Sequence, residues 1–219
     1  MFKTPKIKVC CIANLFEAQL AIDAGAWALG LVAEMPSGPG PISDEEIAEI
    51  VSAVPAGIET FLLTARVDAD AIIDHRQFCG TSTIQLVDHV PFQELQKIRK
   101  ALPKVRLVQV IHVIDDGSVE EAVRVTPLVD MILLDSGKPD AKVRTLGGTG
   151  DTHNWDISLE IRKQIGIPMF LAGGLKPQNV ARAIGQVQPF GVDLCSGLRT
   201  DSRLDPIKLK AFFASVGAI

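Results

Sequence analysis

The stretch that decides the fold is VDMILLDS, residues 129–136, an apolar run of strand length that ends in the carboxylate of Asp135. A short continuous apolar run is typical of a strand that is buried on both faces of a parallel sheet. Helical patterns stand on both sides of this run in the sequence. We therefore interpret it as one strand of an α/β protein, with Asp135 at its carboxyl end.

The same alternation of apolar runs and helical patterns continues from end to end. Strands are predicted near residues 7–12, 28–33, 58–63, 82–86, 106–112, 129–134, 168–172 and 191–195. Helices are predicted near residues 15–24, 44–54, 68–78, 92–101, 118–125, 158–165, 178–186 and 206–216. Eight evenly spaced units favour a closed barrel over a doubly wound sheet, and no early strand precedes G-x-G-x-x-G. The predicted fold class is α/β, a single-domain (β/α)8 TIM barrel over residues 1–219.

Capping signals agree with these helices. Ser43 precedes three acidic residues as an N-cap, and Gly25 follows the first helix as a stop signal. Pro177 is expected in the first turn of the seventh helix, a position that tolerates proline.

Composition limits the class of partner. The 219 residues are 47% hydrophobic, enough for one sizeable core, and a net charge of −4 offers no basic patch for nucleic acid. No targeting segment and no run of about 18 apolar residues occurs, so we expect a cytoplasmic protein without membrane contact. A small molecule is the expected partner. The sequence does not decide whether the protein is a monomer or a homodimer, because the outer helices of both can expose apolar residues.

The chain has four cysteines, of which Cys10 and Cys11 are adjacent. This number is too small for a disulfide scaffold, and no C-x-x-C pair with partner histidines supports a zinc site. We expect reduced thiols, with Cys79 as a small core residue, and neither a metal nor a cofactor.

In such a barrel the reacting groups come from the carboxyl ends of the strands and the loops that follow them. The residues that meet this positional test are Cys10 or Cys11, Gln85, His112, Asp135, Gly173, Gly174 and residues 193–197.

Two glycine loops suit a phosphate group. Gly173 and Gly174 follow the seventh strand directly before a predicted helix, and Ser196 and Gly197 follow the eighth. Backbone N–H groups without side chains can approach an anion closely, and a helix N-terminus adds partial positive charge. The loops after strands seven and eight frequently hold phosphate in this fold.

Five segments together resemble the phosphoribosylanthranilate isomerase family, and their order and spacing match over nearly the whole chain. They are KVC at residues 8–10, LLDS at 133–136, GGTGDTHNW at 147–155, LAGGL at 171–175 and VDLCSG at 192–197. The resemblance implies an Amadori rearrangement of an aminoaldose phosphate to an aminoketose in tryptophan biosynthesis, without metal or organic cofactor.

The resemblance also implies the roles of site residues. Asp135 would be the general acid that opens the ribose ring, and Cys10 the general base that takes the C2 proton. The two groups must differ in protonation state, so the pKa of Asp135 should be raised and the Cys10 thiol partly ionised. Substrate and phosphate would contact Gly148, Gly173, Gly174, Asp193, Ser196 and Gly197.

Two of the departures from the family pattern bear directly on the predicted site. Where the family has Lys-Ile-Cys-Gly this chain reads KVCC, and alternation along a strand predicts that only Cys10 faces the mouth. Gly40 stands where the family has the arginine that holds the anthranilate carboxylate. Arg66, Arg144 or Arg199 are candidates to replace that cation.

Two histidines stay outside the predicted catalytic pair. His153 matches a loop-to-helix junction, and His112 ends strand five as a structural or substrate-contacting residue.

Three hypotheses follow. The first is the isomerase named by the resemblance. The second is a divergent paralogue that acts on an aldose phosphate without an anthranilate ring, which the missing arginine favours. The third is a non-catalytic protein that binds phosphorylated metabolites, since a fold does not determine a function.

Overall fold

The computed structural model describes residues 4–36, 38–137 and 152–217. Eight parallel strands, β1 to β8, form a closed barrel in chain order, and β1 pairs with β8 to complete it. The strands are β1 Lys6–Val9, β2 Ala28–Val32, β3 Glu59–Thr64, β4 Thr83–Leu86, β5 Arg106–His112, β6 Met131–Asp135, β7 Met169–Leu171 and β8 Gly191–Leu194. The predicted (β/α)8 barrel is confirmed.

A helix follows each strand and packs outside the barrel. The helices are α1 Leu15–Asp23, α2 Asp44–Ala53, α3 Ala69–Cys79, α4 Phe92–Ala101, α5 Gly117–Val125, α6 Trp155–Gln164, α7 Val180–Val187 and α8 Pro206–Gly217. A short antiparallel pair, β9 Arg199–Thr200 and β10 Arg203–Leu204, lies between β8 and α8. Within the described ranges, no helix is long and apolar enough to cross a membrane.

The predicted capping signals are confirmed at α2. The N–H of Glu46 donates to the Ser43 hydroxyl at 3.2 Å, and the N–H of Ser43 donates to the Glu46 carboxylate at 2.8 Å. This reciprocal pair satisfies two backbone donors that the first helical turn leaves free. Gly25 has a φ of +97°, the left-handed conformation that suits glycine after a helix.

Two helices begin two or three residues away from their predicted starts. Helix α6 begins at Trp155 rather than Ser158, because the Asn154 side chain caps it by accepting from the N–H of Asp156 at 2.9 Å. Helix α7 begins only at Val180, so Pro177 lies before the helix rather than in its first turn. The Asn179 side chain accepts from the N–H of Lys176 at 2.7 Å and holds the chain there in a turn.

Alternation along each strand divides the apolar residues into two layers. Leu134 packs in the layer between strands and helices, whereas Leu133 packs in the cluster inside the barrel. The same alternation places Val9 in the outer layer and Cys10 in the inner cluster. Asp135 lies two residues after Leu133 in β6, so it shares the inward direction of Leu133 at the mouth of the barrel.

Candidate active site

One pocket opens at the carboxyl ends of the strands. Its lining includes Cys10 after β1, Asp135 at the end of β6 and Asp193 on β8. Apolar side chains of Val32, Leu63, Val87 and Val110 form much of the wall, and the glycine loops after β7 and β8 complete it. The acid and the thiol that sequence analysis singles out therefore share one cavity.

Asp135 is in an environment that favours its protonated form. Burial raises the pKa of the carboxyl group, and the nearby charge of Asp193 adds to this effect. The N–H of Ser136, which donates to Oδ1 at 2.7 Å, opposes the rise, as do His112 and Lys8. The net result is a raised pKa, which suits a group that donates a proton near neutral pH.

Cys10 is buried, with 6% of its surface exposed, and it carries a free thiol. Its backbone N–H donates to the carbonyl of Leu194 at 2.7 Å, which fixes the residue against β8. Burial raises the pKa of the thiol to about 11; the Lys8 ammonium opposes this rise and the Asp193 carboxylate adds to it. Burial outweighs the cation, so the shift runs against the partly ionised thiol expected from sequence, and the thiolate of Cys10 is the minor form at neutral pH.

Lys8 is the site residue that sequence reasoning missed. Its side chain has no exposed surface, and its Nζ donates to Oδ2 of Asp193 at 2.8 Å. Burial works to lower the pKa of Lys8, but Asp193 and Cys10 outweigh it and raise the pKa above its ordinary value. A lysine inside the apolar run IKV, residues 7–9, was the signal available in the sequence.

Asp193 faces the pocket from β8. Its Oδ2 is engaged by Lys8, whereas its Oδ1 is buried without a hydrogen-bond partner among the described residues. A carboxylate repels a phosphate group, so the chemistry of Asp193 fits a hydroxyl group of a substrate better. Its contact with substrate stays a prediction.

Cys11 and Cys195 form a disulfide, which corrects the expectation of four reduced thiols. Their Cα atoms are 5.8 Å apart, although 184 positions separate the two residues in sequence. Closure of the barrel brings the segment after β1 beside the segment after β8, because these two strands are neighbours. Cys79 is a buried free thiol, as predicted.

The alternation argument for the two adjacent cysteines is also wrong. Strand β1 ends at Val9, and Cys11 has a φ of +63°, so the strand geometry does not extend through it. Both Cys10 and Cys11 consequently line the pocket. Positive φ is also the conformation that favours glycine, which is the residue of the family pattern at this position.

The glycine loops have the predicted location. Gly173 and Gly174 have φ values of +77° and +59°, and both line the pocket with Ser196 and Gly197. A Cβ on Gly197 would overlap the carbonyl oxygen of Leu175, so glycine lets the two loops pack together. The glycines lie before a turn rather than directly before α7. Their binding of phosphate stays a prediction, and Gly148 lies outside the described residues.

Two of the three arginines proposed to replace the cation missing at Gly40 lie in the described part of the chain, and neither lines the pocket. Arg199 pairs with Glu17 at 2.8 Å and donates to backbone carbonyls of Cys11 and Ser202. Arg66 lies 3.6 Å from the Asp44 carboxylate on the outside of the barrel. Arg144 lies outside the described residues.

The histidines have structural contacts. His153 lies just before α6, as predicted, and its Nε2 is 2.7 Å from the Ser158 hydroxyl. Burial lowers the pKa of His153 to about 4, so its ring is neutral at neutral pH. His112 contacts the carbonyl of Val87 through Nε2 at 3.1 Å.

A second group of polar residues lies outside the barrel, between α2 and α3. We call Asp44, His75 and Cys79 the sealed cluster; their ligand atoms lie within 4.8 Å of one another, a spacing compatible with a metal ion. His75 contacts Asp44 at 2.8 Å and Thr64 at 3.3 Å, so both ring nitrogens already have partners. We interpret the cluster as a hydrogen-bonded network that joins the helices. The expected lack of a metal or cofactor remains an expectation.

Fold and site together define a (β/α)8 barrel whose mouth combines a carboxyl group of raised pKa, a thiol and two glycine loops. The family model of N-(5'-phosphoribosyl)anthranilate (PRA) isomerase matches residues 7–215. The chain belongs to this family of isomerases.

Individual relatives support the assignment. The chain is 34% identical to N-(5'-phosphoribosyl)anthranilate isomerase from Pelobacter propionicus, over 94% of this chain and 93% of the relative. It is 34% identical to isomerase 2 of Methanosarcina mazei, over 89% and 85% of the two chains. The crystal structure of phosphoribosyl anthranilate isomerase from Thermotoga maritima superimposes with a TM-score of 0.84, at 27% identity, and covers 98% of this chain and 100% of that chain.

Proposed function

We propose that this protein catalyses the cofactor-independent Amadori rearrangement of N-(5'-phosphoribosyl)anthranilate to the aminodeoxyribulose phosphate in tryptophan biosynthesis. The observation that carries the proposal is that Asp135 and Cys10 line one pocket at the mouth of a barrel of this family. A related isomerase has been solved in complex with reduced 1-(o-carboxyphenylamino)-1-deoxyribulose 5-phosphate, at a TM-score of 0.81 and 25% identity over 98% of this chain and 100% of that chain.

The reaction needs two proton transfers. Asp135 gives its proton to the ring oxygen, the bond from C1 to that oxygen breaks, and the nitrogen lone pair forms a C1–N double bond. The thiolate of Cys10 then takes the proton from C2, and the electron pair moves to give the enolamine, which tautomerises to the ketone. General acid–base groups of this kind each contribute roughly 10²–10⁴-fold to a rate.

The phosphate group would bind at the loops of Gly173, Gly174, Ser196 and Gly197. The left-handed glycines leave backbone N–H groups accessible at the rim of the pocket. Gly148 is proposed as a further contact. This arrangement would place the sugar between Asp135 and Cys10.

The direct test is turnover by the purified protein. We expect conversion of N-(5'-phosphoribosyl)anthranilate to the ketose. Chromatography monitors this conversion, because substrate and product have the same mass. If the protein still binds inorganic phosphate but converts no substrate, the proposed substrate is wrong and the phosphate site at the mouth of the barrel stands.

A second candidate substrate is an aldose phosphate that lacks the anthranilate carboxylate. The lining residues from the described part of the chain include two aspartates and no lysine or arginine, and Gly40 packs against Cys11 instead of offering a cation. The test compares the substrate with its analogue that lacks the carboxylate. If a cation holds that group, KM of the analogue rises about 10-fold to 100-fold; an equal KM favours the second candidate.

The remaining expectations are proposals as well. We propose that residues 1–219 form one barrel domain, in line with the family match over residues 7–215. The cytoplasmic location conflicts with the disulfide, because thiols in the cytosol are normally kept reduced. The homodimer stays a prediction that the molar mass in solution would test.

A further inference from the structure

An unusual ion pair lies beneath the pocket. Lys8 is the third residue of β1 and is fully buried, with its Nζ 2.8 Å from Asp193 and 5.1 Å from the centre of the Phe61 ring. Removing two charges from water costs free energy that their attraction repays only in part, so such a pair is weak evidence for stability. Its place in the barrel suggests a role in the chemistry instead.

The ammonium group borders the Cys10 thiol. A Cβ built on Gly30 of β2 would lie 2.7 Å from Sγ of Cys10 and 3.1 Å from Nζ of Lys8, so the two atoms share one small space. The positive charge of Lys8 lowers the pKa of the Cys10 thiol against the effect of burial. Only a glycine at position 30 leaves this space to the two side chains.

We propose that Lys8 is a positioning residue that stabilises the thiolate form of Cys10, and that Asp193 balances the charge of the Lys8 ammonium and so offsets part of this effect. The inference rests on the proposed role of Cys10 as the base. Once Cys10 has taken the substrate proton and is a neutral thiol, the pair of Lys8 and Asp193 remains charge-balanced. The ammonium therefore keeps a partner in both states of the cysteine.

The charges around Cys10 give the two partners opposite effects. Burial raises the pKa of the thiol to about 11, Lys8 lowers it and Asp193 raises it. Asp135 faces the same pocket from β6, and Gly30 brings no charge from β2. Removing Lys8 should therefore disfavour the thiolate, whereas removing the charge of Asp193 should favour it. An ion pair that does not act on Cys10 would leave the alkylation rate of Cys10 unchanged in both variants.

The experiment measures alkylation of Cys10 by iodoacetamide against pH, in the full chain without substrate, by mass spectrometry of peptides. Cys79 is the internal control, because it is the other free thiol and its pKa is raised to about 12 by burial. We expect Lys8→Met to slow alkylation of Cys10 at pH 8 about tenfold, which is one pKa unit. We expect Asp193→Asn to accelerate it.

Two results would overturn the proposal: an unchanged rate at Cys10 in Lys8→Met, or shifts in the same direction in both variants. Slow alkylation of Cys79 reports that each variant is folded. If Lys8→Met does not fold, Asp193→Asn decides alone, and a rate that is not increased rejects the idea. The readout uses no substrate, so a protein without isomerase activity would refute the proposed function and leave this result standing.

Discussion

Two clusters in this molecule each combine a thiol with a carboxylate, yet they differ in what surrounds them. Cys10 lies in the pocket with a buried ammonium beside it and Asp135 on the opposite wall. Cys79 of the sealed cluster lies between helices, where burial and the Asp44 carboxylate both raise its pKa, to about 12. The comparison teaches that residue types alone do not define a reactive site. A cavity and an adjacent cation distinguish the thiol in the pocket.

The largest expected effect compares the carboxylates of the two clusters. Asp135→Asn removes the proton donor and should lower kcat about 10²-fold to 10⁴-fold on N-(5'-phosphoribosyl)anthranilate. Asp44→Asn is the matched control and should leave kcat unchanged while weakening the contact with His75. Steady-state kinetics with both variants measure the difference. Equal rates in Asp135→Asn and the unmodified protein would remove the acid from the mechanism.

The second prediction concerns the disulfide between Cys11 and Cys195, which lines the pocket; the cysteine of the sealed cluster, Cys79, is a free thiol. Reduction of Cys11–Cys195 should lower the free energy of unfolding by about 2–5 kcal/mol, since the bond restricts the unfolded chain. Denaturant titrations with and without reductant measure this change. The variant Cys11→Ser/Cys195→Ser is the control and should not respond to reductant. Alkylation of all four cysteines in unfolded, unreduced protein would show that no such bond forms.

A third prediction compares a histidine of the sealed cluster, His75, with a histidine beside the pocket, His153. Burial lowers the pKa of His75 in the sealed cluster and lowers that of His153, near Gly173, to about 4. In the unfolded chain these histidines take up protons at a higher pH than in the folded protein. Falling pH therefore favours unfolding: the free energy of unfolding is highest above about pH 6.5 and decreases as the pH falls towards 4.

His153→Gln should remove up to about 3 kcal/mol of that acid-induced loss of unfolding free energy. Chemical unfolding between pH 4 and pH 7 measures it, with His75→Gln as the comparison for the sealed cluster. A pH dependence in His153→Gln identical to that of the unmodified protein would contradict the neutral, buried ring.

The smallest expected effect tests why arginine is absent at position 40. Gly40 has a φ of +84°, and a Cβ there would lie 2.6 Å from the Cβ of Cys11. Gly57, at a φ of +98° with open space around it, is a matched control that bears the backbone cost alone. Gly57→Arg should cost about 1–2 kcal/mol, and Gly40→Arg more.

With Cys195→Ser in every variant, so that none can form the disulfide, adding Cys11→Gly to Gly40→Arg should recover part of the extra loss, because it clears the contact. Thermal unfolding of the three variants measures these differences. Equal stability of Gly40→Arg and Gly57→Arg would mean that Cys11 does not restrict position 40.

The barrel was predictable because it depends on local patterns. Eight apolar runs with helical segments between them recur at even spacing, and all eight strands formed within a few residues of their predicted bounds. Helix starts were less predictable where a side-chain cap decides them, as Asn154 does for α6. The locations of Asp135 and Cys10 at the mouth of the barrel were predictable because sequence alone can locate the carboxyl end of a strand; their catalytic roles stay a prediction.

What escaped prediction depends on contacts between distant segments. The pairing of Cys11 with Cys195 arises from closure of the barrel, which no local pattern records. In the sequence Lys8 is a single charge that interrupts an apolar strand. Its role as the partner of Asp193 depends on the pairing of β1 with β8 in the folded barrel. The raised pKa of Cys10 likewise follows from burial in the folded chain.

The central claim is that Cys10, and not Cys79, is the reacting thiol. The measurement that tests it most directly is the turnover of N-(5'-phosphoribosyl)anthranilate by Cys10→Ala and Cys79→Ala, two equal truncations of buried free thiols. The account predicts a loss of kcat of about 10²-fold or more in Cys10→Ala and an unchanged kcat in Cys79→Ala. Equal turnover by the two variants would contradict it.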